Sequence, residues 1–139
     1  MAMEQLQVLY NSQNYGNRRV KRAWTDRKNR MVFLLLTGER YLQIMSTKKC
    51  CEMDTIELYK VRNKVAGLEY IGSHKKLVIV DRRSNIFVYL YQKKKGFEFC
   101  RRIPQDMECA GSIFWNQQIN RLMIFGTQSK KILFLSINN

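Results

Sequence analysis

The stretch Leu77-Val-Ile-Val-Asp-Arg-Arg-Ser-Asn-Ile-Phe-Val-Tyr-Leu-Tyr91 decides the fold class: an apolar run of four residues, five polar residues, then an apolar run of six. Runs that short have strand length rather than helix length, and Val, Ile, Phe and Tyr pack well on a pleated surface. In the second run Ile86, Val88 and Leu90 point one way and Phe87, Tyr89 and Tyr91 the other. Both faces are apolar, so both must be covered.

Working outward, the same text recurs. Residues 22–46, 68–92 and 113–137 lie over one another without a gap. An aromatic residue (Trp24, Tyr70, Trp115) precedes apolar runs that open at Met31, Leu77 and Leu122, and second runs follow at 41–45, 86–91 and 132–137. The runs are 46 and 45 residues apart. Such a period marks tandem units, each a small sheet that needs its neighbours to stay dry. A fourth strand is predicted at 55–61 and at 97–103, the latter ending at the sole proline, Pro104. The third unit reaches Asn139 without one. Gln5-Leu-Gln-Val-Leu-Tyr10 alternates like an orphan outer strand able to supply it, and 11–19 reads as a polar linker. The predicted units are therefore about 20–64, 65–109 and 110–139 in one all-β domain, without helices of ordinary length.

Composition fits a folded core: 45% of the 139 residues are hydrophobic and 12% aromatic. No apolar run approaches the length of an export signal or a membrane helix, so a soluble intracellular protein, cytoplasmic or nuclear, is expected. Cys50, Cys51, Cys100 and Cys109 lack metal-binding spacing, and adjacent Cys50 and Cys51 are poor mutual bridge partners. Reduced thiols are expected.

Four short strands per unit of about 45 residues, with an aromatic closing the first, resemble the WD-repeat β-propeller family. The resemblance runs from about Val20 onward. The Trp-Asp and Gly-His signatures are absent: the third strands end in Met45-Ser46, Tyr91-Gln92 and Ile137-Asn138, and His74 sits between the first two strands of its unit. The resemblance implies tandem four-stranded antiparallel blades in a partial propeller, with open faces covered by the rest of a longer chain, a second copy or another protein. A small β-sandwich or barrel is the alternative. It also implies a non-catalytic scaffold that binds other protein chains, in a hetero-complex or a homo-oligomer.

Charge points to the partner: 25 Lys and Arg against 11 Asp and Glu leave +14. Such a field attracts an acidic protein surface, nucleic acid or anionic lipid headgroups. In a meander, turns one–two and three–four share one rim. That rim is predicted to carry Arg27, Lys28, Arg30, Lys75, Lys76 and Arg121 from the first kind of turn, and Lys48, Lys49, Lys93, Lys94 and Lys95 from the second. Arg18, Arg19, Lys21 and Arg22, near Tyr15 and Trp24, form a candidate basic arm for a nucleic-acid-binding alternative. Catalysis has no constellation to rest on. His74 reads as a solvated turn residue, Asp26, Asp81 and Asp106 as turn caps, and no cofactor loop occurs, so neither enzyme activity nor a cofactor is expected.

Overall fold

The computed structural model describes residues 19–104, 110–127 and 131–136; the expected outer strand at 5–10, Arg18 and Cys109 lie outside them. Eleven strands and no helix are found among the described residues. They are β1 (Val20–Asp26), β2 (Met31–Leu36), β3 (Tyr41–Ser46), β4 (Cys51–Glu57), β5 (Val65–Ile71), β6 (Lys76–Asp81), β7 (Ile86–Gln92), β8 (Gly96–Ile103), β9 (Ala110–Asn116), β10 (Arg121–Gly126) and β11 (Ile132–Leu135). They form three sheets of hydrogen-bonded neighbours in chain order, β1-β2-β3-β4, β5-β6-β7-β8 and β9-β10-β11. Each sheet is an antiparallel meander of its own.

Two backbone devices repeat with the sheets. Arg30, Lys75 and Asn120, each 45 residues from the next, hold positive φ of 56°, 53° and 54° just before the second strand. The first strands carry one unmatched residue apiece, Lys21, Ala66 and Gly111, again 45 residues apart. A bulge kinks a strand and strengthens its twist, so its recurrence shows that the sheets share a shape as well as a topology.

The period is thus 45 throughout, which corrects the first overlay by one residue. Trp24 pairs with Phe33, whereas Tyr70 pairs with Leu77 and Trp115 with Leu122. The structural counterpart of Trp24 is therefore Glu69, paired with Val78. One residue of slip exchanges the faces of a strand, so Trp24 lies on the face opposite to that of the other two aromatics. The fourth strand of the first sheet is also displaced from 55–61: it ends at Glu57, and Val61 N donates to Leu58 O at 3.1 Å in a turn that buries both side chains.

The chain divides into two compact units, residues 1–56 and 57–139. In the first, Phe33, Leu35, Leu42 and Ile44 are buried. Gln43 is buried as well, and its Nε2 lacks a hydrogen-bond partner among the described residues.

In the second unit one face of β5–β8 packs on one face of β9–β11. Ala66, Ile71, Val78, Val80, Ile86 and Val88 meet Leu122 and Ile124, with Ile113, Trp115, Leu133 and Leu135 at the margin. Each Val, Leu or Ile so buried contributes about 1.5–3 kcal/mol. The first strands lie side by side, and a methyl added at Gly67 would touch Ile113 at 3.6 Å. Aromatic edges fill the middle sheet's other side: Tyr70 and Tyr91 pack on Phe97, and Tyr89 on Phe99, at 5.8, 4.8 and 5.6 Å between centroids.

Candidate interaction surfaces

In the first unit the β1–β2 turn holds Arg27, Lys28 and Arg30, and the β3–β4 turn holds Lys48 and Lys49, all exposed. Thr47 N donates to Arg30 O at 2.9 Å, so the two turns are joined at one end of the sheet. Asp26 shapes the first turn by accepting from Asn29 N at 3.0 Å and Nδ2 at 2.7 Å.

The middle sheet repeats this end. Tyr91 N donates to Lys75 O at 2.8 Å, joining the β5–β6 turn to the β7–β8 turn with its exposed Lys93, Lys94 and Lys95. His74 extends the edge to the last sheet: its ring stands edge-on to Trp115 at 5.7 Å, and Nε2 lies 3.4 Å from Asn120 Oδ1. It therefore ties two sheets together instead of serving as a solvated turn residue. Beside it Arg121 is exposed, with Nη1 donating to Asn120 O at 2.9 Å and Ile119 O at 3.4 Å.

Lys76 leaves the predicted rim. It is the first residue of β6 and only 8% exposed, because the left-handed residue that closes the turn is Lys75. The described part of the basic arm is not an arm either. The Arg19 backbone is held by Thr37, its O accepting from Thr37 N at 2.8 Å and its N donating to the Thr37 side-chain Oγ1 at 3.3 Å, and Lys21 pairs with Glu39 at 2.8 Å. The Arg22 guanidinium lies 4.6 Å from the Trp24 ring centroid, a cation–π contact on the face the corrected register gives them.

The opposite end of the middle sheet carries a feature absent from the sequence reading. The β4–β5 connection, the β6–β7 turn and β8 enclose a cleft of about 440 Å³ lined by Tyr59, Lys60, Arg62, Asn63, Asp81, Asn85, Phe87 and Arg102. Its floor is organised by Asp81, which is fully buried. Oδ1 accepts from Arg83 N at 3.0 Å and Asn85 N at 2.8 Å, and Oδ2 from Asn85 Nδ2 at 3.0 Å and Asn63 Nδ2 at 3.2 Å. Arg82 N reaches Lys64 O at 2.8 Å and locks the turn to the connection.

Asn85 Oδ1 in turn accepts from Arg102 Nη2 at 2.9 Å. Arg102 faces the cleft because of a register shift in β8: Tyr89 pairs with Phe99 but Val88 with Arg101, leaving Cys100 unmatched. The bulge puts Arg102 beside Phe87 and sends Arg101 to the other face with Val88. Lys60 lies 5.1 Å above the Tyr59 ring, and Tyr59 is 65% exposed. Nearby, the Tyr89 phenol is pushed up to about 12, first by burial and then by the charge Tyr59 acquires on ionising.

A further surface is apolar. Strand pairing sets Phe114, Met123 and Phe134 in one row across the last sheet and Ser112, Phe125 and Ile132 in the next. Phe114, Phe134 and Ile132 are 52%, 54% and 48% exposed. This face is the reverse of the one packed on β5–β8.

Among the described residues no three His, Cys, Asp or Glu gather as a metal site, Cys50, Cys51 and Cys100 are free thiols, and no helix is long and apolar enough to cross a membrane.

Comparison with known proteins places this geometry. A chain of a solved structure described as the Crystal Structure of Mitotic Checkpoint Complex superposes with a TM-score of 0.66 over 86% of this chain, at 11% identity. The likeness is one of fold. This chain spans 36% of that chain's length. No family model and no curated protein matches the sequence. The all-β tandem of blade-like meander sheets read from the sequence is thus the fold observed.

Proposed function

We propose that the chain is a non-catalytic scaffold for protein–protein interaction, which binds a further protein chain through an apolar sheet face and an acidic partner through its basic turns. The apolar row Phe114–Met123–Phe134 carries this reading. Solvent-facing strands normally alternate apolar with polar residues, but β9–β11 have apolar side chains on both faces, and the described residues of the unit cover only one. A continuous exposed apolar face marks a surface built to be covered. The occupant proposed first is a second copy of this chain, because an isologous contact needs one surface only.

The basic turns supply the second contact. Backbone hydrogen bonds join them in pairs, bearing Arg27, Lys28, Arg30, Lys48 and Lys49 in the first unit and Lys75, Lys93, Lys94 and Lys95 in the second, with Arg121 exposed at the start of β10. Within each unit, like charges held on joined turns steer an acidic surface without needing a shaped pocket.

Sedimentation velocity tests the reading. Wild-type protein is expected to self-associate at roughly 10 µM, as a contact worth about 7 kcal/mol requires. Phe114→Asp with Phe134→Asp should leave a folded monomer. A wild-type chain that stays monomeric, or a double variant that associates equally well, would overturn the reading.

A further inference from the structure

The cleft at the other end of the middle sheet has no role in that scaffold. Three cations, Lys60, Arg62 and Arg102, converge on it against one carboxylate, Asp81. Asp81 is turned inward, with both oxygens occupied by four N–H donors, so it acts as the floor's organiser and is not presented to a ligand. Asn85 completes the relay: its amide nitrogen serves Asp81 and its oxygen holds the Arg102 guanidinium in place. The outcome is a pre-positioned Arg flanked by two exposed cations, with Arg82 and Arg83 on the adjoining turn.

We propose that this cleft binds the phosphate monoester of a nucleotide, with the nucleotide's base stacked on Tyr59. A compact dianion matches the excess of positive charge, and guanidinium groups recognise phosphate oxygens through paired N–H donors. A volume of about 440 Å³ is within the range of small-molecule sites. Tyr59, 65% exposed at the mouth with Lys60 over its ring, offers an aromatic platform next to the anion site. The phosphate source is either a free mononucleotide or the 5′ end of a nucleic-acid strand, since both present the same chemistry.

Titration calorimetry in low salt with AMP, ribose 5-phosphate, adenosine and a 5′-phosphorylated oligonucleotide tests the site. AMP should bind, ribose 5-phosphate about tenfold more weakly for want of stacking, and adenosine not measurably. Lys60→Gln with Arg62→Gln, two exposed side chains outside the Asp81 network, should weaken AMP by at least tenfold. Tyr59→Ser should erase the difference between AMP and ribose 5-phosphate. Tighter binding of the oligonucleotide than of AMP would identify a strand end as the source, and equal binding a free nucleotide. Equal binding of AMP and adenosine, no binding of AMP, or indifference to the Lys60 and Arg62 changes would overturn the proposal. The monomeric Phe114→Asp, Phe134→Asp protein should bind AMP normally, which keeps this result separate from that of the scaffold.

Discussion

Asp81→Ala should unfold the middle sheet's turn from within. The carboxylate accepts four hydrogen bonds, two from backbone N–H groups of Arg83 and Asn85 and two from the amides of Asn85 and Asn63. A hydrogen bond to a charged group contributes about 1.5–3 kcal/mol. Arg82 and Arg83 are exposed, so the opened turn regains some of that from water. A net loss of about 3 kcal/mol remains, from a total of roughly 5–15 for a domain. Asp81→Asn keeps one acceptor oxygen but sets an NH2 group against two other amide donors, and should cost about half as much. Urea unfolding followed by tryptophan fluorescence measures both. Amide exchange at Arg83 and Asn85 locates the effect, because theirs are the backbone N–H groups that donate to the carboxylate. If Asp81→Ala costs less than about 1 kcal/mol and leaves both exchange rates unchanged, the carboxylate does not organise the turn.

Tyr89→Phe should stabilise the protein at neutral pH by about 1 kcal/mol, since its buried hydroxyl has no partner among the described residues. The same change should alter the alkaline limb: burial raises the folded phenol to about 12 against 10.0 unfolded, so its contribution is whole below pH 10 and is lost as pH rises through 12. Urea midpoints across that window should fall less steeply in the variant, and parallel curves would rule out Tyr89 as the cause. Reversing Lys93, Lys94 and Lys95 to Glu should weaken capture of an acidic polypeptide and flatten its dependence on salt, measured by fluorescence anisotropy with a poly-glutamate probe. Identical salt slopes before and after would remove these lysines from the contact.

What the sequence made legible, and what it hid, divide along one physical line. Strand positions and turns follow from local chemistry, and β6, β7, β8, β10 and β11 begin within one residue of where their apolar runs predict. Facing depends on register, and register depends on bulges fixed by the neighbouring strand. Counting apolar residues therefore paired Trp24 with Tyr70, although the unmatched residues at Lys21 and Ala66 show a uniform period of 45 and put Trp24 on the other face. By sequence Lys76 reads as a turn residue next to Lys75, but the left-handed residue ends the turn one position earlier.

The cleft was hidden for the same reason. Arg101-Arg102 is visible as charge, yet alternation from Phe97 and Phe99 would send Arg101 toward the Phe87 side. Only the unmatched Cys100 exchanges the two. His74 shows the converse: its 46-residue reach to Asn120 is close to one repeat, so a contact between neighbouring units was implicit in the period once the two sheets were known to pack. In this tandem fold the apolar runs specify which sheets exist, whereas single unmatched residues decide which side chains those sheets present to a ligand.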